Sequence, residues 1–223
     1  SGAGDVNGDG YSDMIIGSDQ YNSNTGRSYI FIGGNFISQF HYLAIDGAAP
    51  NNYFGSAVSG AGDMNRDGFD DVIVGAFGNN NYSGTAYIFL GGSIMDVFAD
   101  VYFSNGVFSS GLGTSLSDIG DVNRDGFGDV IVSAPGFNQS MGKSYVLYGG
   151  SYVDNVPDVI ITGDTANVYF GGSISSAGDF NGDGYDDFMS TARNFSTLNG
   201  MAYIYLSSAI NISPNLIFAK DFP

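Results

Sequence analysis

Asp63-Met64-Asn65-Arg66-Asp67-Gly68-Phe69-Asp70-Asp71 is one of four closely similar stretches in this chain, and its recurrence decides the fold. The copies beginning at Asp5, Asp63, Asp121 and Asp179 read DVNGDGYSD, DMNRDGFDD, DVNRDGFGD and DFNGDGYDD, each starting 58 residues after the last. Other residues keep the same register: Phe54, Leu112 and Phe170; Gly55, Gly113 and Gly171; Gly26, Gly84, Gly142 and Gly200; Tyr29, Tyr87, Tyr145 and Tyr203. Chance does not hold unrelated residue types in one register over four copies, so this is a tandem repeat. The repeats run at about 1–49, 50–107, 108–165 and 166–223, within a single domain that spans 1–223.

Outward from the Asp stretch, the punctuation of one repeat is that of strands. In the second copy, 53–62 is rich in small residues, Gly55, Ser56, Ala57, Gly60 and Ala61 among them. After the Asp loop comes the β-branched run Val72-Ile73-Val74, then a polar loop at 79–83, then Ala86-Tyr87-Ile88-Phe89 and a Gly91-Gly92 turn. A fourth, more exposed strand is expected at 95–103. Four strands and no helical periodicity make an all-β chain of β-propeller blades: four tandem four-stranded repeats, with the Asp loop between strands one and two of each. The small-residue first strand fits the innermost position, where blades converge and large side chains clash. The Tyr29 series is expected to pack between blades.

The loop pattern D-x-N-x-D-G-x-x-D places oxygen-bearing side chains at positions 1, 3, 5 and 9, a main-chain carbonyl at position 7 and a bend-permitting Gly at position 6. The expected ligands are Asp5, Asn7, Asp9, the Tyr11 carbonyl and Asp13 in the first copy. They are Asp63, Asn65, Asp67, Phe69 and Asp71 in the second, and Asp121, Asn123, Asp125, Phe127 and Asp129 in the third. In the fourth they are Asp179, Asn181, Asp183, Tyr185 and Asp187. All-oxygen ligation without His or Cys selects a hard cation, and three carboxylates on a flexible loop favour Ca²⁺ over Mg²⁺. Four Ca²⁺ sites are expected. An EF-hand opens in the same way but needs Glu at position 12, where this chain has Ile16, Val74, Val132 and Ser190.

Composition narrows the function classes. The 223 residues carry 23 acids, all of them Asp, against 6 bases, a net charge of −17. Asp has the short arm that a tight metal loop needs, whereas a solubilising surface would use Glu as well. Such a polyanion repels DNA and RNA, so no nucleic-acid partner is expected. Cysteine is absent, which removes disulfides, thiolate zinc sites and cysteine nucleophiles together. No apolar run is long enough for a membrane span. His41, the single histidine, has no Cys or assignable Ser partner, and no acid–base pair or phosphate loop stands out, so no catalytic residue is assigned and the chain reads as a non-enzyme. Arg66 and Arg124, inside two Asp loops, are expected to offset local charge. Asn-x-Ser sequons stand at Asn81, Asn138, Asn194 and Asn211, three of them in the loop after the second strand.

These residues resemble the FG-GAP repeat of integrin α-subunit propellers. Phe54-Gly55 and Phe170-Gly171 match the FG signature and Leu112-Gly113 departs from it modestly; Gly75-Ala76-Phe77 and Ser133-Ala134-Pro135 carry the GAP signature, which drifts to Gly17-Ser18-Asp19 and Thr191-Ala192-Arg193. The resemblance implies calcium on one face and recognition of a protein or glycan ligand on the other, through loops such as 78–83, 136–141 and 104–110. It points to an adhesion or recognition module that is extracellular or at the cell surface. A structural subunit of an extracellular assembly, or the non-catalytic propeller of a larger secreted hydrolase, are the alternatives. Four full repeats need 232 residues (4 × 58), and the nine lacking from the first correspond to 50–58. The expectation is a piece of a longer propeller, or a subunit whose ring is completed by neighbouring blades or chains.

Overall fold

The structure, a computed structural model, describes residues 1–35, 42–193, 200–207 and 216–219. Among the described residues, sixteen strands form four sheets. The first holds β1 (Gly2–Gly4), β2 (Asp13–Ser18), β3 (Arg27–Phe31) and β4 (Leu43–Asp46). The second holds β5 (Phe54–Gly62), β6 (Asp71–Ala76), β7 (Thr85–Phe89) and β8 (Val101–Phe103). The third holds β9 (Leu116–Gly120), β10 (Asp129–Ala134), β11 (Lys143–Leu147) and β12 (Val159–Thr162). The fourth holds β13 (Phe170–Gly178), β14 (Asp187–Ala192), β15 (Met201–Tyr205) and β16 (Leu216–Ala219). Each sheet keeps sequence order and pairs antiparallel throughout, which is a propeller blade.

The first strands of successive sheets, β1, β5, β9 and β13, pack on one another, so the small-residue strand does take the inner position. Three apolar cores lie between successive blades. Ile15 and Ile30 of the first sheet meet Val72 and Val74 of the second; Ile73 and Ile88 meet Val130 and Val132; Ile131 and Val146 meet Phe170 and Phe188. Strand alternation thus gives every blade a leading and a trailing apolar face. Among the described residues, no packing of comparable extent links the fourth sheet to the first.

The recurring glycine before the third strand has a steric cause. Gly84 sits at φ +79°, and a Cβ there would stand 2.1 Å from the carbonyl oxygen of Leu112 in the next blade, across a parallel bridge that Gly26 and Gly142 repeat with Phe54 and Phe170. The FG signature and this glycine are therefore the two halves of one joint between blades.

Tyr87, Tyr145 and Tyr203 pack in the cores between blades as expected, whereas the Tyr29 ring lies beside Phe31 of its own strand. The Tyr145 ring lies edge-on to Phe103 of the preceding blade at 5.1 Å, and Asn105 of that blade donates to its hydroxyl. The fourth strand of the second sheet is shorter than expected, 101–103 instead of 95–103. Asp96 accepts from the Phe98 N–H and Asp100 from the Leu90 N–H, bonds that hold this stretch as a turn. In the first three blades the loop after the second strand makes one tight turn, with Asn22, Ser23 and Asn24, or Asn80, Asn81 and Tyr82, or Asn138, Gln139 and Ser140, all at positive φ. The sequons at Asn81 and Asn138 lie in these turns; His41, Asn194 and Asn211 lie outside the described residues.

Candidate metal centre

Each Asp loop joins the first strand of a blade to the second, and its side chains are folded inward by the backbone itself. In the second blade Asp63 Oδ1 accepts from the Asp67 N–H at 3.0 Å and Asp63 Oδ2 from the Gly68 N–H at 2.9 Å. Asn65 Oδ1 accepts from the same Asp67 N–H at 2.9 Å, and Asp67 Oδ1 accepts from the Phe69 N–H at 3.0 Å. The Asn65 amide donates to Asp67 Oδ2 at 2.9 Å. Positions 1, 3 and 5 are thereby gathered around three successive backbone N–H groups, a concave turn that the Gly68 φ of +93° permits. The same bonds recur from Asp5, Asn7 and Asp9; from Asp121, Asn123 and Asp125; and from Asp179, Asn181 and Asp183. The position-seven N–H of Tyr11, Phe127 and Tyr185 closes each loop onto Asp9, Asp125 and Asp183.

Position nine behaves differently. Asp71 is fully buried at the head of β6; its Oδ2 accepts from the Met64 N–H at 2.8 Å and its Oδ1 from the Gly91 N–H at 2.7 Å. Asp13, Asp129 and Asp187 make the equivalent pairs with Val6 and Gly33, Val122 and Gly149, and Phe180 and Ser207. This carboxylate ties the loop to the turn after the third strand. Sequence reasoning named the ligand position and missed the bracket, although the Gly33-Gly34, Gly91-Gly92 and Gly149-Gly150 pairs stand in register with it.

Charge crowds each loop. Burial, with the Asp67 and Asp63 carboxylates adding to it, pushes Asp71 up to about 7 against the pull of its two N–H donors, and Asp129 is likewise pushed up to about 7. Asp13 is raised by burial first and by Asp9 and Asp5 after it. The donors fit a hard cation in kind: each loop offers carboxylate and amide oxygens, no nitrogen or sulfur ligand, and mutual repulsion that a divalent cation would relieve. Among the described residues, no group of three or more Asp or His side chains is drawn together tightly enough to hold a metal as it stands, because the position-nine oxygens face the backbone.

The loop arginines do more than offset charge. Arg66 lies over the Phe127 ring of the next blade at 5.8 Å and Arg124 over Tyr185 at 5.4 Å. Arg27, Lys143 and Arg193 cover Tyr21, Phe137 and Tyr169 in the same manner at the opposite edge. Arg66→Ala is expected to cost about 0.5–1 kcal/mol in urea unfolding, a loss that persists in high salt, since ring contact resists screening better than an exposed charge offset. Two acids at the variable position eight also join blades: Asp70 accepts from the Asp5 N–H at 2.7 Å and Asp186 from the Asp121 N–H at 2.9 Å.

The comparison with known families settles where this architecture belongs. A family model of the FG-GAP repeat matches residues 1–31, 54–89, 114–147 and 170–205. The chain belongs to the FG-GAP repeat family. Its relatives include integrin α-2 of Bos taurus, 41% identical over 80 residues, and integrin α-X of Homo sapiens, 42% identical over 80 residues. Integrin α-5 of Xenopus laevis is 32% identical over 82 residues. These alignments cover 33%, 34% and 33% of this FG-GAP chain, and 7%, 7% and 8% of the integrins. The segments matched by the family model carry the four Asp loops and the Phe54 and Phe170 sides of the joints between blades. Among the described residues no helix is long and apolar enough to cross a membrane.

Proposed function

We propose that this chain is a calcium-stabilised, extracellular or cell-surface β-propeller module that recognises a protein or glycan ligand and catalyses no reaction. Each Ca²⁺ would be held by the loop oxygens of positions 1, 3, 5 and 9 and the carbonyl of position 7, and would supply charge neutralisation and rigidity. Four such ions would bring the formal charge from −17 to −9 (−17 + 8). The antiparallel order puts the Asp loops at one edge of the blades and the loops after the second strands at the other, which leaves the second edge free for recognition.

The observation that carries the reading is an aromatic group at that second edge. Tyr53 stacks on Phe77 at 4.7 Å, and the exposed Tyr82 ring, in the positive-φ turn, lies 6.4 Å from Tyr53 and 6.2 Å from Phe77. Exposed rings on a rigid frame, beside loops that differ between otherwise matched repeats, suit binding better than packing. Phe108, in the connection from the second blade to the third, is exposed at the same edge. Immobilised chain, screened in calcium against a glycan array and a panel of secreted and cell-surface proteins, is expected to bind a restricted set. Tyr82→Ala and Phe108→Ser should weaken that binding at least about tenfold without shifting the melting temperature, as loss of a hot-spot ring does. Binding to nothing, or binding that both variants leave intact, would overturn the recognition role.

A further inference from the structure

The joint between the second and third blades carries a groove at the Asp-loop edge. One part is a cleft of about 420 Å³ with Asp100, Tyr102, Tyr152, Asp154 and Asn155 in its wall. A second cleft, of about 300 Å³, shares Asn65, Leu90 and Asp100 with the first and continues it past Ile94 and Phe98. The first and fourth blades pack on the outer sides of this pair, so no unpacked blade face contributes to the groove. Turn chemistry holds its walls. Met95 and Val153 are buried anchors in the turns after the third strands, and Asp96 and Asp154 accept from the Phe98 and Val156 N–H groups at 2.7 and 2.8 Å. The side chains between these fixed points stand outward: Ile94 is 86% exposed, Tyr152 84%, Phe98 75% and Tyr102 63%.

Charge selects the occupant. Asp100 Oδ2 accepts from the Leu90 N–H and Asp154 Oδ1 from the Val156 N–H, both at 2.8 Å, and the second oxygen of each has no bonded partner among the described residues. No base lines either cleft, and Arg66, next to Asn65, is turned onto Phe127 instead. Two exposed tyrosine rings beside two carboxylates in want of donors suit a guanidinium, whose plane stacks on a ring while its N–H fork reaches the oxygens. A lone small cation would leave Ile94 and Phe98 unused, so the occupant is a length of polypeptide with apolar residues beside the arginine. The first joint does not repeat the arrangement: Tyr42, Ala44, Ile94 and Val97 stand there in register with Asp100, Tyr102, Tyr152 and Asn155. Variation of that kind on a constant frame is what a binding surface shows.

We propose that this groove binds an arginine-bearing segment of a partner protein, with the guanidinium among Asp100, Tyr102, Tyr152 and Asp154 and the neighbouring apolar side chains on Ile94 and Phe98. It is a second site, at the edge opposite Tyr82 and Phe108, and it stands whether or not that edge recognises a ligand.

The test titrates the 223-residue chain, in saturating calcium, with the peptide acetyl-Gly-Leu-Arg-Leu-Gly-amide, followed by calorimetry and by backbone amide shifts in NMR. A twin peptide carries citrulline, which keeps the shape of the arginine side chain without its charge. One arginine peptide is expected to bind per chain, with shifts concentrated at 94–102 and 151–156, and the citrulline peptide about tenfold more weakly. Tyr152→Ser, at an exposed position and without change of charge, should weaken the arginine peptide about threefold or more. Asp154→Asn should weaken it about tenfold. Asp164→Asn removes the same charge elsewhere on the surface and should change binding less than about twofold. Thermal melts of the variants report whether any has lost its fold. Equal weakening by the two Asp variants with none from Tyr152→Ser would show a polyanion attracting any cation, and overturns the proposal. So does a lack of saturable binding, citrulline binding as well as arginine, or displacement of the peptide by maltotriose, which would mean a sugar platform.

Discussion

Excess chelator is expected to lower the melting temperature of this chain by roughly 10–20 °C. Extracellular calcium modules commonly bind at about 10⁻⁴–10⁻³ M, and at free calcium roughly ten times the dissociation constant each site adds about 1.4 kcal/mol. Four such sites contribute roughly 5–6 kcal/mol, comparable to the whole net stability of a domain. The loops supply the reason for so large a share. Without the cation each crowds three carboxylates together, and burial with the neighbouring charges already pushes Asp71 and Asp129 up to about 7. Asp67→Ala or Asp125→Ala removes one site of four, so each is expected to lower the melting temperature by roughly 3–6 °C in calcium and by little in chelator. Scanning calorimetry with and without chelator decides the matter, and a melting curve indifferent to chelation would refute the calcium reading.

Much of the fold was legible because glycine and aspartate carry backbone information. The 58-residue register survives at Gly26, Gly84 and Gly142 because a Cβ there would collide with the next blade, and at Phe54 and Phe170 because they are the other side of that joint. What lay hidden involves partners far apart in sequence. Nothing near Arg66 indicates that its guanidinium covers Phe127, and nothing near Asp70 indicates that it accepts from the Asp5 N–H. The fourth strand was overread at 95–103 because Met95, Val97 and Phe98 suggest β structure, whereas Asp96 and Asp100 turn the chain through their own hydrogen bonds. At the candidate site the spacing gives the loop positions proposed to hold the metal. The division of labour among them was not legible, because the second donor to each position-nine carboxylate lies twenty residues downstream.

That division gives the sharpest test of the site. Asp71→Ala is expected to destabilise the chain by about 3 kcal/mol in chelator, and by more in calcium, where a ligand is lost as well. Its carboxylate is fully buried and accepts from the Met64 and Gly91 N–H groups, so truncation leaves two buried donors unpaired at about 1–3 kcal/mol each. Part of that loss is returned, because burial already disfavours the charged side chain and holds Asp71 at about 7. Asp71→Asn keeps one carbonyl oxygen for one of the two donors and turns an N–H toward the other, so it should fall between wild type and alanine. Asp67, by contrast, sits on the exposed part of the loop and accepts from the Phe69 N–H, which water can serve equally well. In chelator, then, the cost of Asp67→Ala should fade while that of Asp71→Ala remains, measured as urea midpoints on the same day's protein. Equal costs for the two variants in chelator would show that position nine is a metal ligand and nothing more, and that the tie between the Asp loop and the turn after the third strand holds no part of the blade together.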